Sequence, residues 1–151
     1  MNPEQLVQEM IQDSYPGLRD KKVHVYKGGF GTLRGMAVRI FNWYFILIHP
    51  EELRSPKENL IGFFAHELCH LEMNLKIPWS KKFFYTIRYW TNMKVFAKGE
   101  KATDRCAIEK GYGKALYAQA LTRPERIGKN AKYYLTAAEV KAYAKRIKKW
   151  N

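Results

Sequence analysis

The chain has 151 residues and a formal net charge of +13, from 27 Lys and Arg against 14 Asp and Glu. That length suffices for one core, and no Pro/Gly/Ser-rich linker, internal repeat or low-complexity segment divides it, so a single domain is expected. The longest nearly unbroken apolar run, Phe41 to Ile48, falls far short of the roughly 20 residues of a membrane span, and the start Met-Asn-Pro-Glu-Gln lacks the basic-then-apolar pattern of a signal peptide, so a cytoplasmic location is expected.

Asn2-Pro3-Glu4-Gln5 combines a cap residue, a proline, an acid and an amide, the signature of a helix start. Leu6, Val7, Met10 and Ile11 give that helix an apolar face until Tyr15-Pro16-Gly17 stops it. Val23 and Val25 alternate with His24 and Tyr26 in a strand, and residues 35–41 and 44–49 read as two more around an Asn42-Trp43 turn. The expected sheet is small, three-stranded and antiparallel. Gly28-Gly29-Phe30-Gly31-Thr32 has a faint likeness to a nucleotide loop, but it lacks the P-loop lysine and the third glycine of GxGxxG, so it reads as a strand connection.

Ser55-Pro56-Lys57-Glu58 has the form of a capping box with proline at the first helical position, which predicts a helix from residue 56. Its third turn carries His66, Glu67, Leu68, Cys69 and His70, the metallopeptidase pattern H-E-x-x-H. With His66 at 0° and about 100° per residue, Leu60, Ile61, Phe64, Leu68, Leu71 and Leu75 fall between roughly 120° and 220° and form a core stripe. His66 and His70 lie on the opposite face, flanked by Phe63 and Met73, where both imidazoles can point at one ion while Glu67 reaches a water. That is the arrangement needed for metal-assisted hydrolysis. Cys69, and Cys106 further on, are read as small buried packing residues where two site helices meet; a disulfide between them would be unusual in a reducing compartment.

Residues 77–96 hold seven aromatics. Phe83, Phe84, Ile87, Trp90 and Lys94 follow helical spacing, which predicts an amphipathic helix packed on the core. With Lys81, Lys82 and Arg88 alongside, a face touching lipid or unfolded substrate is the rival reading. Gly111-Tyr112-Gly113 interrupts the next helix, residues 115–121 form a further short one, and Thr136-Ala137-Ala138-Glu139 caps a last helix with Val140, Tyr143, Ala144, Ile147 and Trp150 on one side.

A zinc site needs at least three protein ligands. The remaining histidines, His24 and His49, precede the motif, and the metzincin position six residues after His70 is Lys76, which excludes that class. Among the later acids, Glu72 points away from the histidines. Glu100 and Asp104 stand four apart on one helix face, and Glu109 is half a turn off. Of the later acids, which also include Glu125 and Glu139, Glu100 can thus ligate while Asp104 holds a ligand imidazole by hydrogen bond. The rival reading is a solvated acid pair at a helix start.

The order of a strand ending in His49-Pro50-Glu51-Glu52-Leu53, the HELCH helix and then Glu100-Lys101-Ala102-Thr103-Asp104-Arg105 resembles the gluzincins, zinc peptidases whose third ligand is a glutamate. It is most similar to the catalytic domains of integral-membrane prenyl-protein and heat-shock peptidases and to the small soluble minigluzincins. Their E-x-x-A-D signature places the alanine one position later than Ala102. The resemblance covers roughly residues 36–121. It implies an α+β zincin-like catalytic domain over 1–122, with an HExxH helix, a glutamate helix and a basic C-terminal helical segment, 123–151, packed on it. It also implies Zn2+ on His66, His70 and Glu100, Glu67 as general base, Asp104 orienting a histidine, and a peptide or protein substrate. Minigluzincins are thought to be kept latent by C-terminal segments, within one chain or by exchange between two, so a zymogen or a homodimer through 123–151 is an expectation here too.

For the oxyanion, Tyr112, Tyr117, Tyr133, Tyr134 and Arg105 are candidates. The charge is one-sided: residues 1–75 hold 8 Lys and Arg against 9 acids, and 76–151 hold 19 against 5. Such a surface attracts polyanions, so a non-enzymatic nucleic-acid or membrane-surface module is one rival function. No nucleic-acid module accompanies the charge, and nucleic acid is not the expected partner. A second rival is a gluzincin-like protein that cleaves phage repressors.

Overall fold

The computed structural model describes residues 2–28, 34–127 and 131–150. The glycine-rich connection singled out above lies, apart from Gly28, outside the described residues. The architecture is α+β, with helices gathered around one small mixed sheet.

Helix α1 spans Pro3–Ser14; the Asn2 side chain accepts from Glu4 N at 3.0 Å, and Leu6, Val7, Met10 and Ile11 are buried as expected. Strand β1 spans Val23–Lys27, β2 Gly35–Ile40 and β3 Trp43–Ile48, in the spatial order β1-β3-β2. The antiparallel expectation holds for β2 with β3 and fails for β1, which runs parallel to β3 with Val23 opposite Tyr44 and Lys27 opposite Ile48. The physical reason is the apolar content of β3. Tyr44, Ile46 and Ile48 are buried on one face, and Phe45 and Leu47 are half-buried on the other, so β3 takes the centre with a neighbour on each side. The hairpin turn falls one residue earlier than expected, on Phe41-Asn42, with Phe41 at φ 51°.

Helix α2 spans Lys57–Leu75 and runs through the middle of the molecule. Pro56 is its cap and no side-chain cap bond forms, so the expected capping box is absent; the Leu60 amide donates to Pro56 O at 3.1 Å instead. The single core stripe is also too narrow a description. Gly62 to Cys69 are all buried, because α5 packs on one side and β2 and α4 on others. Where the helix crosses Tyr15, the buried hydroxyl of that residue donates to Ala65 O at 2.9 Å.

Helix α3, Trp79–Thr91, and helix α4, Met93–Ala107, meet at Asn92, whose side chain accepts from Lys94 N and Val95 N. Glu100 and Asp104 therefore sit well inside α4 and not at a helix start. The expectation that the aromatic face of residues 77–96 packs on the core is overturned: Phe83, Phe84, Ile87 and Trp90 are exposed. Gly111, at φ 98°, breaks the chain between α4 and α5, Gly113–Thr122. Helix α6, Ala137–Arg146, has the predicted Thr136–Glu139 capping box and buries Val140 and Ala144. Leu135, Val140 and Ala144 belong to the same core as Leu68 and Ile108, so the C-terminal segment is part of the domain's interior. No helix among the described residues is long and apolar enough to cross a membrane.

Candidate metal centre

His66 and His70 leave α2 one turn apart on the same face, and α4 brings Glu100 across from them. His66 Nε2 lies 3.0 Å from Glu100 Oε2 and 3.1 Å from His70 Nε2, and His70 Nε2 lies 3.4 Å from Glu100 Oε1. Tetrahedral ligands at about 2.0–2.1 Å from a zinc ion stand about 3.3 Å apart, so these spacings fit one shared ion. Among the described residues these three form the His/Cys/Asp/Glu group able to hold a metal. Two imidazoles and one carboxylate are borderline-soft and hard donors of the kind zinc accepts.

Further hydrogen bonds surround these three side chains. His66 Nδ1 lies 2.8 Å from Asp104 Oδ1, an arrangement that puts a proton on Nδ1 and turns Nε2 toward Glu100 and His70. Thr103 Oγ1 stands 3.3 Å from His70 Nδ1 and donates to Gly99 O at 3.0 Å. Asp104 is itself held by Arg126, whose Nη1 and Nη2 donate to it at 2.6 and 2.9 Å, and by the Leu135 amide at 2.9 Å. Tyr89 donates its hydroxyl to Glu100 Oε1. Gly99 makes room for that ring, since a Cβ there would stand 2.6 Å from Tyr89 Cε2.

Electrostatics follow from this geometry. Burial opposes charge on His66, but the Asp104 and Glu100 carboxylates outweigh it and push the metal-free imidazole up to about 10. Burial also opposes charge on Glu100 and Asp104; the histidines for the first, and Arg126 with His66 for the second, nonetheless hold both carboxyls below the usual range. Glu67 moves the other way. It is buried, and desolvation raises its pKa despite the two nearby imidazoles. Burial and the Glu100 charge also raise Tyr89 and Tyr134, so both hydroxyls stay protonated donors.

A cleft of about 340 Å³ opens above His66, His70 and Glu100, between β2, at the edge of the sheet, and the tyrosine side of α3. A second hollow of about 640 Å³ meets it at His66 and Glu67, and Phe96 and Tyr134 line both.

Every predicted site residue is thus in one place: His66, Glu67, His70, Glu100 and Asp104 converge, and Glu100 and Asp104 are 4% and 0% exposed and not a solvated pair. Glu72 turns away to Lys110, at 2.7 Å, and to the Gly17 amide. His24 and His49 pair with Glu4 and Glu51 elsewhere. Of the oxyanion candidates, Tyr134 reaches the centre, its ring 6.0 Å from His66. Tyr133 packs on Phe96, Tyr112 on Tyr15, Tyr117 on Trp150, and the Arg105 guanidinium on Tyr143.

Three corrections concern residues other than the five predicted site residues. Cys69 and Cys106 are joined in a disulfide, Cα–Cα 6.1 Å, which ties α2 to α4 and is not the free-thiol packing expected. Cys69 directly precedes His70, and Cys106 lies two residues past Asp104. Residues beyond the expected catalytic stretch 1–122 also take part, because Arg126 and the Leu135 amide are partners of Asp104. Tyr89, Thr103 and Arg126 were missed altogether. Tyr85 and Tyr89 do share a helix face by their spacing of four, but nothing local aims them at Glu100, and Arg126 lies 22 residues beyond its partner.

Compared with protein-family models, curated proteins and solved structures, the chain finds no match.

Proposed function

We propose that the chain is a zinc-dependent peptidase of gluzincin type that hydrolyses internal peptide bonds. The observation that carries this reading is the convergence of His66, His70 and Glu100, at spacings suited to one tetrahedral ion, beside the buried Glu67 on the floor of a cleft. A zinc ion held by these three side chains would polarise the scissile carbonyl and acidify a water molecule.

The remaining roles belong to the chain's own groups. Glu67 takes a proton from the attacking water and returns it to the leaving amine; its burial raises the carboxyl pKa toward the range where one group can do both. Asp104, clamped by Arg126, fixes the His66 tautomer. Tyr134, protonated and at the junction of the two hollows, is the donor assigned to the developing oxyanion. A polypeptide is the favoured substrate because β2, at the edge of the sheet, forms one wall of the cleft, along which an extended peptide can lie as a further strand.

The test compares wild type with Glu67→Gln. Both should contain about one zinc per chain, while an unfolded protein substrate should be cut by wild type alone. Hydrolysis by Glu67→Gln at the wild-type rate, or a zinc-loaded wild type with no hydrolytic activity on unfolded proteins, would overturn the reading.

A further inference from the structure

Helix α3 presents two different faces. With Phe83 at 0° and about 100° per residue, Tyr85 and Tyr89 lie near 200° and 240° and line the cleft, whereas Trp90, Phe83, Ile87 and Phe84 sweep from about 340° to 100° on the outside. Those four are 51%, 69%, 46% and 73% exposed. Lys81 and Arg88 follow at about 160° and 140°, along one border of the apolar arc, and both are exposed. Met93 is exposed just past the helix, and Lys76, Lys94 and Lys98 are exposed as well. Between Glu72 and Glu100 the sequence has six Lys and Arg and no acidic residue. The tip of the β2–β3 hairpin, where Ile40 and Trp43 are exposed, is tied to α3 through the Lys82 ammonium, which donates to Arg39 O at 2.7 Å.

We propose that the outer face of α3 docks the protein on an anionic lipid bilayer, lying in the plane of the surface with Phe83, Phe84, Ile87 and Trp90 among the acyl chains and Lys81 and Arg88 on the lipid phosphates. An aromatic and aliphatic arc bordered by cations is the composition of an interfacial helix. At 13 residues, about 20 Å, α3 is too short to span a bilayer and suited to lying on one. The uniform positive charge complements a surface carrying phosphates and attracts it before the apolar residues insert. The observations favour lipid over nucleic acid. Apolar side chains and not cations occupy the middle of the face, and Ile87 at its centre offers no ring for base stacking.

The docking rests on α3 alone and not on the peptidase reading. It does have a consequence for the cleft: the inner face of the same helix forms a wall of the site, so a docked molecule would hold its opening beside the membrane.

The experiment is co-sedimentation of the full chain with vesicles of phosphatidylglycerol and phosphatidylcholine, and with phosphatidylcholine alone. Binding is expected on the anionic vesicles and should weaken as salt is raised. The double variant Phe83→Ser/Phe84→Ser should lower the partition coefficient on the order of 10- to 100-fold with an unchanged circular dichroism spectrum, because both rings are exposed. Lys81→Glu/Arg88→Glu should restore nothing on neutral vesicles and lose binding on anionic ones. Glu67→Gln should bind like wild type, which separates docking from hydrolysis. Absence of binding to anionic vesicles at low salt, or equal binding by the Phe83/Phe84 variant, overturns the proposal. So does a single-stranded oligonucleotide bound more tightly than the vesicles, or a dimer in sedimentation velocity that the Phe83/Phe84 variant abolishes; these would give the face to a nucleic acid or to a second copy.

Discussion

Replacing Arg126 by Met tests whether the C-terminal segment holds the site together. The guanidinium is buried, donates to both Asp104 oxygens at 2.6 and 2.9 Å and to Leu135 O at 3.2 Å, and stacks 4.8 Å from the Tyr134 ring. Met fills most of the volume but leaves the Asp104 carboxylate, fully buried, with the Leu135 amide and His66 Nδ1 as its partners among the described residues. Removing one member of a buried ion pair costs about 3–5 kcal/mol, and the two surviving partners place this case at the lower end, about 3 kcal/mol. For a chain of this size each kcal/mol shifts the melting temperature by about 2–4 °C, so a fall of about 6–12 °C is expected. The assay is thermal unfolding followed by circular dichroism with metal chelated, so that zinc binding does not mask the effect. Asp104→Leu combined with Arg126→Met removes both charges and should recover most of the stability, while zinc affinity stays low because His66 has lost its orienting carboxylate. A melting temperature for Arg126→Met within about 2 °C of wild type would refute the clamp.

Four further outcomes follow from the same geometry. Glu100→Ala should leave the fold intact but strip zinc from the purified protein, since two ligands hold the ion poorly; full zinc content by elemental analysis would remove Glu100 from the ligand set. Asp104→Asn should weaken zinc by about 10- to 100-fold, read by competition with a chromogenic chelator, and unchanged affinity would rule out its orienting role. In the metal-free protein the raised pKa of His66 contributes stability fully present below pH 6.5 and lost as pH rises through about 10, while the lowered pKa values of Glu100 and Asp104 contribute stability lost as pH falls below 4.5 and 3.8. The chelated protein should therefore melt highest between about pH 5 and 6.5, and a melting temperature that climbs from pH 6.5 to 9 would contradict that sign. Deleting residues from Arg123 onward should unfold the chain and not activate it, because Leu135, Val140 and Ala144 are core residues and Arg126 clamps the site; a folded, more active truncation would instead establish the segment as an inhibitor.

What the sequence determined is what acts over one or two turns of chain. The four-residue spacing of His66 and His70, and of Glu100 and Asp104, fixes which side chains share a helix face whatever the rest of the molecule does. Asn2 and Thr136 cap their helices because the amides they satisfy are two or three residues away. Tertiary structure decided the rest. Alternation showed that β1 is a strand but not that it lies parallel to β3, because pairing direction depends on the path between strands. The period of α3 was legible, yet only packing reveals that its tyrosine face closes the cleft and its Phe/Trp face is left in solvent; periodicity places residues on a side and does not say what covers it. Cys69 pairs with Cys106 because α2 and α4 bring their Cα atoms to 6.1 Å, a distance no spacing of 37 residues encodes. Arg126 reaches Asp104 for the same reason. A buried carboxylate demands a cation, and chain folding alone settles which of the 27 supplies it.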